Sequence, residues 1–224
     1  MQVGDLLDRG YDEVEVLRLL AKLGRQAKQA RGAVVVLWGN HEVDNATGDF
    51  ECTAFYYPSW TNALGRVLDK QHGSDWQDRV LLHPKPNETP YLEKDPARWH
   101  AFRPGGLLAK PFLSKLKIMV KIGNTIFVHA GFRSEDIPQP GGIAELNSVA
   151  RQWILTDVLD DKMRVDEEYD AVPFDPEVLV MRRYSQRDRY GELAKKVEKN
   201  VKDALAVFHA DRMVVGHTHN AGQD

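Results

Sequence analysis

Apolar and polar positions along this chain divide it into short elements. Val14, Leu17, Leu20 and Leu23 recur at helical spacing, which predicts an amphipathic helix that opens at Asp12 and ends at Gly32. Asp12 with Glu15 three residues on fits a capping box. Met1 to Val3 reads as the tail of a strand. Val34 to Trp38 is an unbroken, β-branched apolar run, which predicts a strand covered on both faces. Strand, loop, helix and strand make a βαβ unit. Lys117 to Ile122 and Thr125 to His129 predict two strands joined at Gly123-Asn124. Residues 142–159 predict a helix with Ile143, Leu146, Val149, Ala150, Trp153 and Ile154 on one side. Val178 to Met181 reads as a short strand. Residues 188–208 read as a strongly amphipathic helix carrying Leu193, Val197, Val201, Leu205 and Phe208, and Arg212 to Val215 as a last strand. Residues 45–110 break this rhythm with Trp60, Trp76, Trp99, several prolines and many polar positions. They predict an α-rich insertion or lid with helical pieces at 60–72 and 97–103. No internal repeat is visible.

Composition narrows the class. With 224 residues, 42% apolar and 28% charged, the chain can bury one sizeable core. The formal net charge of −3 comes without a long single-sign block, which argues against a nucleic-acid surface. Cys52 is the only cysteine, so no internal disulfide forms, as suits a reducing compartment. No apolar run is long enough to cross a membrane, and the first residues are not a basic-then-apolar signal. A cytoplasmic location is the expectation.

Four polar clusters each follow or end a predicted strand. They are Gly4-Asp5-Leu6-Leu7-Asp8-Arg9-Gly10, Gly39-Asn40-His41-Glu42, His129-Ala130-Gly131 and Gly216-His217-Thr218-His219. In open α/β sheets the carboxyl ends of strands line the ligand crevice, so clusters far apart in sequence can meet. Carboxylate, amide and imidazole donors without a thiolate suit Mn, Fe, Zn or Co. Two adjacent cations need a bridging carboxylate, for which Asp5 is the natural choice. Asn40, His129 and His217 can supply further neutral donors. Such a pair acidifies a shared water toward hydroxide and holds phosphoryl oxygens. The planar fork of Arg9 matches phosphate oxygens. His41 can protonate a leaving oxygen, with Asp8 to orient it and hold it protonated. Taken singly, each cluster has a plainer reading: a surface turn at Asp8-Arg9-Gly10, a strand-ending turn at Gly39-Asn40, a core histidine at His129, an incidental turn at Gly216. All four in this order point to metal-dependent phosphoester hydrolysis.

GDLLDRG, WGNHE, HAG and GHT stand in the order used by the calcineurin-like metallophosphoesterases. The chain resembles that superfamily and, within it, the phosphoprotein phosphatases. The text after the second motif (Asn40-His41-Glu42-Val43-Asp44-Asn45), then Ala101-Phe102-Arg103-Pro104-Gly105-Gly106, then the hairpin into Val128-His129-Ala130-Gly131, resembles the Shewanella-like protein phosphatase branch. That resemblance implies an α/β fold of the metallophosphoesterase type, a β-sandwich flanked by helices in four layers (αββα). It implies one catalytic domain over residues 1–224, with 45–110 as the insertion. It also implies a phosphatase for Ser/Thr or Tyr phosphomonoesters in a phosphoprotein or phosphopeptide, using two divalent metal ions (Mn, Fe or Zn), with no nucleic-acid or membrane partner. By motif, Asp5 matches the bridging aspartate, and Asn40, His129 and His217 match the remaining ligands of one metal. Arg9 matches a phosphate-clamping arginine, and His41 with Asp8 the acid dyad. A further phosphate-binding arginine belongs near Val180 to Tyr184; Arg183 fits, with Arg182 the alternative. His219 stands where the wider superfamily lends a histidine to the other metal.

The family's opening Asp-x-His motif does not precede Asp5, and its strands after the last motif do not follow. The expectation is therefore a domain incomplete at both ends, with impaired activity. Two rivals stand beside the phosphoprotein phosphatase. One is a pseudophosphatase or phosphate-binding module that keeps Arg9 and Arg183. The other hydrolyses a small phosphoester such as a dinucleoside polyphosphate.

Overall fold

The computed structural model describes residues 1–53, 59–73, 95–156, 172–182, 184 and 192–218. Helix α1 spans Glu13–Gln29. Asp12 does stand at its N-cap, but its side chain makes no cap bond. The expected capping box does not form. Glu13, 3% exposed, turns inward instead. Val14 and Leu17 are buried, whereas Leu23 is exposed, so the predicted stripe holds only in the first turns.

Segment 34–38 is paired on both sides but only at single bridges, Gln2 with Val36 and Leu37 with Lys117, both parallel. Gln2 N donates to Val35 O and Leu37 N to Gln2 O, each at 2.9 Å. Trp38 N and Lys117 N complete the other side at 2.9 and 3.0 Å. Leu37 and Trp38 are fully covered, while Val34 to Val36 are half-buried. The strand predicted as buried on both faces is so at its end alone, where the second polar cluster begins.

A three-stranded sheet carries the third and fourth clusters. Strand β1 (Met119–Ile122) pairs antiparallel with β2 (Thr125–Val128), the hairpin expected around Gly123-Asn124. Strand β2 pairs parallel with β3 (Arg212–Val214). Ile126 and Val128 alternate into the core. Gly216 N donates to His129 O at 2.7 Å, which holds the loops after β2 and β3 together.

Helices cover these strands. Helix α2 (Asn40–Thr47) starts directly after Trp38-Gly39. Helices α3 (Ser59–His72) and α4 (Pro96–Phe102) fall where the helical pieces of 45–110 were expected. Asp95 caps α4 by accepting from Arg98 N at 2.9 Å, with Pro96 in the first turn. Trp60 and Phe102 pack edge to face at 5.8 Å. Helix α5 is Gly142–Leu155; the predicted stretch 157–159 lies outside the described residues. Its Asn147 accepts from Ile118 N at 2.7 Å and donates to Met119 O at 2.8 Å, so an amide side chain pairs with the start of β1. The strand predicted at Val178 to Met181 is instead one helical turn, α6 (Glu177–Val180). Asp175 accepts from Glu177 N at 2.9 Å, and Pro176 precedes the turn, a helix-start signal that outweighs the apolar run. Helix α7 (Glu192–Ala206) sets Ala204 and Leu205 into the core.

Candidate metal and phosphate site

The first cluster is a strained loop. Gly4, Asp5, Asp8 and Arg9 all have positive φ, at 101°, 58°, 68° and 57°. Each non-glycine residue there costs about 1–3 kcal/mol and persists only when its surroundings demand it. Two buried carboxylates do so. Glu42 accepts from Asp5 N (2.9 Å), Leu6 N (2.6 Å), Leu7 N (3.1 Å) and Gly39 N (2.7 Å). Glu13 accepts from Asp8 N at 2.7 Å. Burial and the Asp5 charge push the Glu42 carboxyl above its usual range, and the N–H donors pull against them. Glu42 thus staples the first loop to the second. Close approach explains two glycines. A Cβ on Gly39 would strike Asp5 Oδ1, and one on Gly4 would lie 2.6 Å from His129 Nδ1.

Three clusters then present electron-pair donors to one another. His129 Nδ1 donates to Val3 O at 2.6 Å, which leaves its Nε2 lone pair facing inward. That Nε2 is buried without a hydrogen-bond partner among the described residues, yet it lies 3.2 Å from Asp5 Oδ1. Two such atoms this close call for a cation between them, a proton or a metal. With a proton there, burial opposes a charged His129, but the contact with Asp5 outweighs it and raises its pKa. Asn40 Nδ2 donates to Asp44 Oδ2 at 3.2 Å, which turns Asn40 Oδ1 toward His217 Nδ1 at 3.0 Å. His217 also has a positive φ, 62°. Its pKa is lowered by burial, then by the positive charges of His129 and Arg182. Ligand atoms of Asp5, His129 and His217 all lie within 4.8 Å of one another. Carboxylate oxygen, amide oxygen and two imidazoles are a donor set that fits Mn, Fe or Zn, and the orphaned His129 Nε2 fits a ligand role.

Beside these donors sits the acid pair. His41 Nδ1 is 2.7 Å from Asp8 Oδ2, with the side chains 6% and 0% exposed. Burial alone would lower the His41 pKa. The Asp8 hydrogen bond and the Asp5 and Asp8 charges outweigh it, and the value rises. Arg9 is exposed at the rim, 4.0 Å from Cys52 Sγ. Arg183 and His219 lie outside the described residues. Arg182, the alternative to Arg183, is described and donates from Nε to His217 Nε2 at 3.3 Å.

Sequence reasoning missed the groups that hold Asp8. Asn45 Nδ2 donates to Asp8 Oδ1 at 3.0 Å and to His41 O at 2.7 Å. Arg98, from α4, donates to Asp8 Oδ1 at 2.8 Å and to both Glu13 oxygens at 2.9 and 2.8 Å. Nothing local marks these partners, which are 85 and 90 residues away from Arg98. Glu42 did carry a signal. It is the third residue of a helix and reaches back to the Gly39 N–H, a half capping box.

The model of the calcineurin-like phosphoesterase family matches residues 1–221. The chain belongs to that family. Its sequence is 33% identical over 165 residues to Shewanella-like protein phosphatase 2 of Arabidopsis thaliana, covering 69% of this chain and 42% of that protein. It is 25% identical over 208 residues to an uncharacterized protein of Acanthamoeba polyphaga mimivirus, covering 86% and 72%. Its fold matches a cold-active protein tyrosine phosphatase with a TM-score of 0.56 at 21% identity, over 97% of this chain and 53% of that one. The corresponding enzyme of a psychrophilic Shewanella species matches with a TM-score of 0.52 at 22% identity, over 96% and 53%. The chain therefore spans about half the length of these phosphatases. In this family fold, the α/β arrangement described above places the calcineurin-like motifs in one site. No helix among the described residues is long and apolar enough to cross a membrane.

Proposed function

We propose that this chain is the catalytic core of a metal-dependent phosphoprotein phosphatase that hydrolyses phosphomonoesters. The observation that carries the reading is the meeting of Asp5, Asn40, His129 and His217, with facing donor atoms 3.2 and 3.0 Å apart, directly beside the His41–Asp8 pair. Asp5, Asn40, His129 and His217 are the residues to hold one divalent ion, with Asp5 shared toward a second. Bound there, divalent cations supply Lewis acidity toward phosphoryl oxygens and an acidified water. Arg9, exposed at the rim, takes phosphate oxygens in its planar fork, with Arg182 or Arg183 as the second arginine. His41 holds a proton on its other nitrogen for the leaving oxygen, and Asp8 fixes the ring by accepting at Nδ1. The buried walls around Asp8 keep water from competing for that bond. Similarity to a plant protein phosphatase supports a phosphoprotein substrate.

Asp5 can be shared toward the second ion, and His219, outside the described residues, is a further candidate donor. The second reading is a phosphate-binding module that keeps Arg9 and Arg183. Dialysis against manganese followed by an aryl phosphate assay separates these. The phosphatase reading expects manganese retained by the folded chain and manganese-dependent hydrolysis. Phosphate binding with no hydrolysis would favour the module. Retention of no metal by a folded chain would sink the metal site itself.

A further inference from the structure

The guanidinium of Arg98 is fully buried, 0% exposed, inside the molecule. Its Nη2 reaches Asp8 Oδ1 and Glu13 Oε1, both at 2.8 Å, its Nη1 reaches Glu13 Oε2 at 2.9 Å, and its Nε donates to Asn45 Oδ1. Three aromatic rings flank it, Phe50 and Trp60 at 5.8 Å and Phe102 at 5.4 Å from centroid to guanidinium carbon. Burying this charge among rings is costly unless every donor is used in good geometry. Here each contact leads to one residue, Asp8. Glu13, which Arg98 grips with two bonds, also holds Asp8 N at 2.7 Å. Asn45, gripped through its carbonyl, turns its amide to Asp8 Oδ1 and Oδ2 at 3.0 and 3.1 Å. Arg98 takes Oδ1, Asn45 spans both oxygens, and Oδ2 also meets His41 Nδ1 at 2.7 Å. Asp8 itself is strained, with φ at 68°.

We infer that Arg98 is the positioning residue for the Asp8–His41 pair, acting from the insertion through Asp8, Glu13 and Asn45 to set the ring of His41. This rests on the function proposed above for its purpose, though not for its geometry. The inference gives residues 45–110 a part in the chemistry: helix α4, capped by Asp95 and seated on Trp60 through Phe102, carries one rigid fork to the acid pair. A lysine cannot replace it. A single ammonium has no planar fork to bridge two carboxylates and an amide at once.

The test needs no turnover. In the full chain labelled with 15N-histidine, the Nδ1–H proton of His41 should give a protected, downfield signal, assigned by its loss in His41→Gln. Arg98→Met should speed its exchange roughly tenfold or more, as one lost hydrogen-bond constraint allows, while the methyl signals of Ile126 and Val128 stay in place. Should Arg98→Met not fold, Arg98→Lys must show the same faster exchange. Wild-type protection in either folded variant overturns the inference. Metal content, measured on the same samples, keeps the two ideas apart. A wild-type chain that binds no manganese but shows Arg98-dependent protection would sink the phosphatase reading and leave this one standing.

Discussion

The two halves of the site are built in opposite ways. Around Asp8 and His41, polar atoms are paired: one carboxylate receives Arg98, Asn45 and His41, and His41 is buried. Around Asp5, electron-pair donors face one another instead, and His129 Nε2 is buried with no hydrogen-bond partner among the described residues. A finished network and an open set of donors stand a few residues apart on the same two loops. The difference teaches what each half is for. Buried polar groups are satisfied unless something else is to satisfy them. The Asp8 half is complete in the protein alone, whereas on the proposed function the Asp5 half is completed by a cation. Glu42 serves both, because it pins Asp5, Leu6, Leu7 and Gly39 in one grip.

Four changes would break or sharpen this contrast. The largest effect belongs to Asp5→Ala, which removes the shared carboxylate. Manganese affinity should fall by more than about 100-fold with little change in the urea midpoint. Unchanged affinity by calorimetry would show that the open donors are not the metal site. Next comes Arg98→Met, which leaves two buried carboxylates without their cation. It should cost about 3–5 kcal/mol in urea unfolding, while metal affinity changes far less; equal damage to both would blur the two halves into one. Third is Gly39→Ala, whose new Cβ strikes Asp5 Oδ1. It should weaken metal binding roughly tenfold and leave the His41 signal in place.

The smallest effect is a pH dependence. Folded His41 titrates above the ordinary histidine value of 6.5 because its bond to Asp8 and the nearby acid charges outweigh burial. The folded state then binds that proton more tightly than the unfolded state. The resulting stability is full below 6.5 and fades as pH rises through the folded value. Urea midpoints of the wild type minus those of His41→Gln should shrink across that window. A difference that grows with pH would contradict the paired half of the comparison.

Much of this was legible from residue types and order. The hairpin at Gly123-Asn124, the helices at 59–72, 96–102 and 192–206, and the meeting of Asp5 with His129 all sit where motif and periodicity placed them. The signals are local: a two-residue turn, an apolar stripe, a polar cluster at a strand end. Two local signals misled, a short apolar run and a polar cap pattern. Val178 to Met181 looked like a strand, but Asp175-Pro176 starts a helical turn. Asp12 and Glu15 looked like a capping box, but α1 begins with Glu13 drawn inward by Arg98 and Trp60. Arg98 and Asn45 were illegible for a different reason. Their meaning lies in a contact with Asp8 made across the fold, and no spacing in the chain announces it.

The central claim is that one cation sits among Asp5, Asn40, His129 and His217. Anomalous diffraction from crystals grown with manganese tests it most directly. The account predicts a peak within bonding distance of Asp5 Oδ1, Asn40 Oδ1, His129 Nε2 and a ring nitrogen of His217. A manganese peak elsewhere, with those four side chains bonded only to one another, would contradict it.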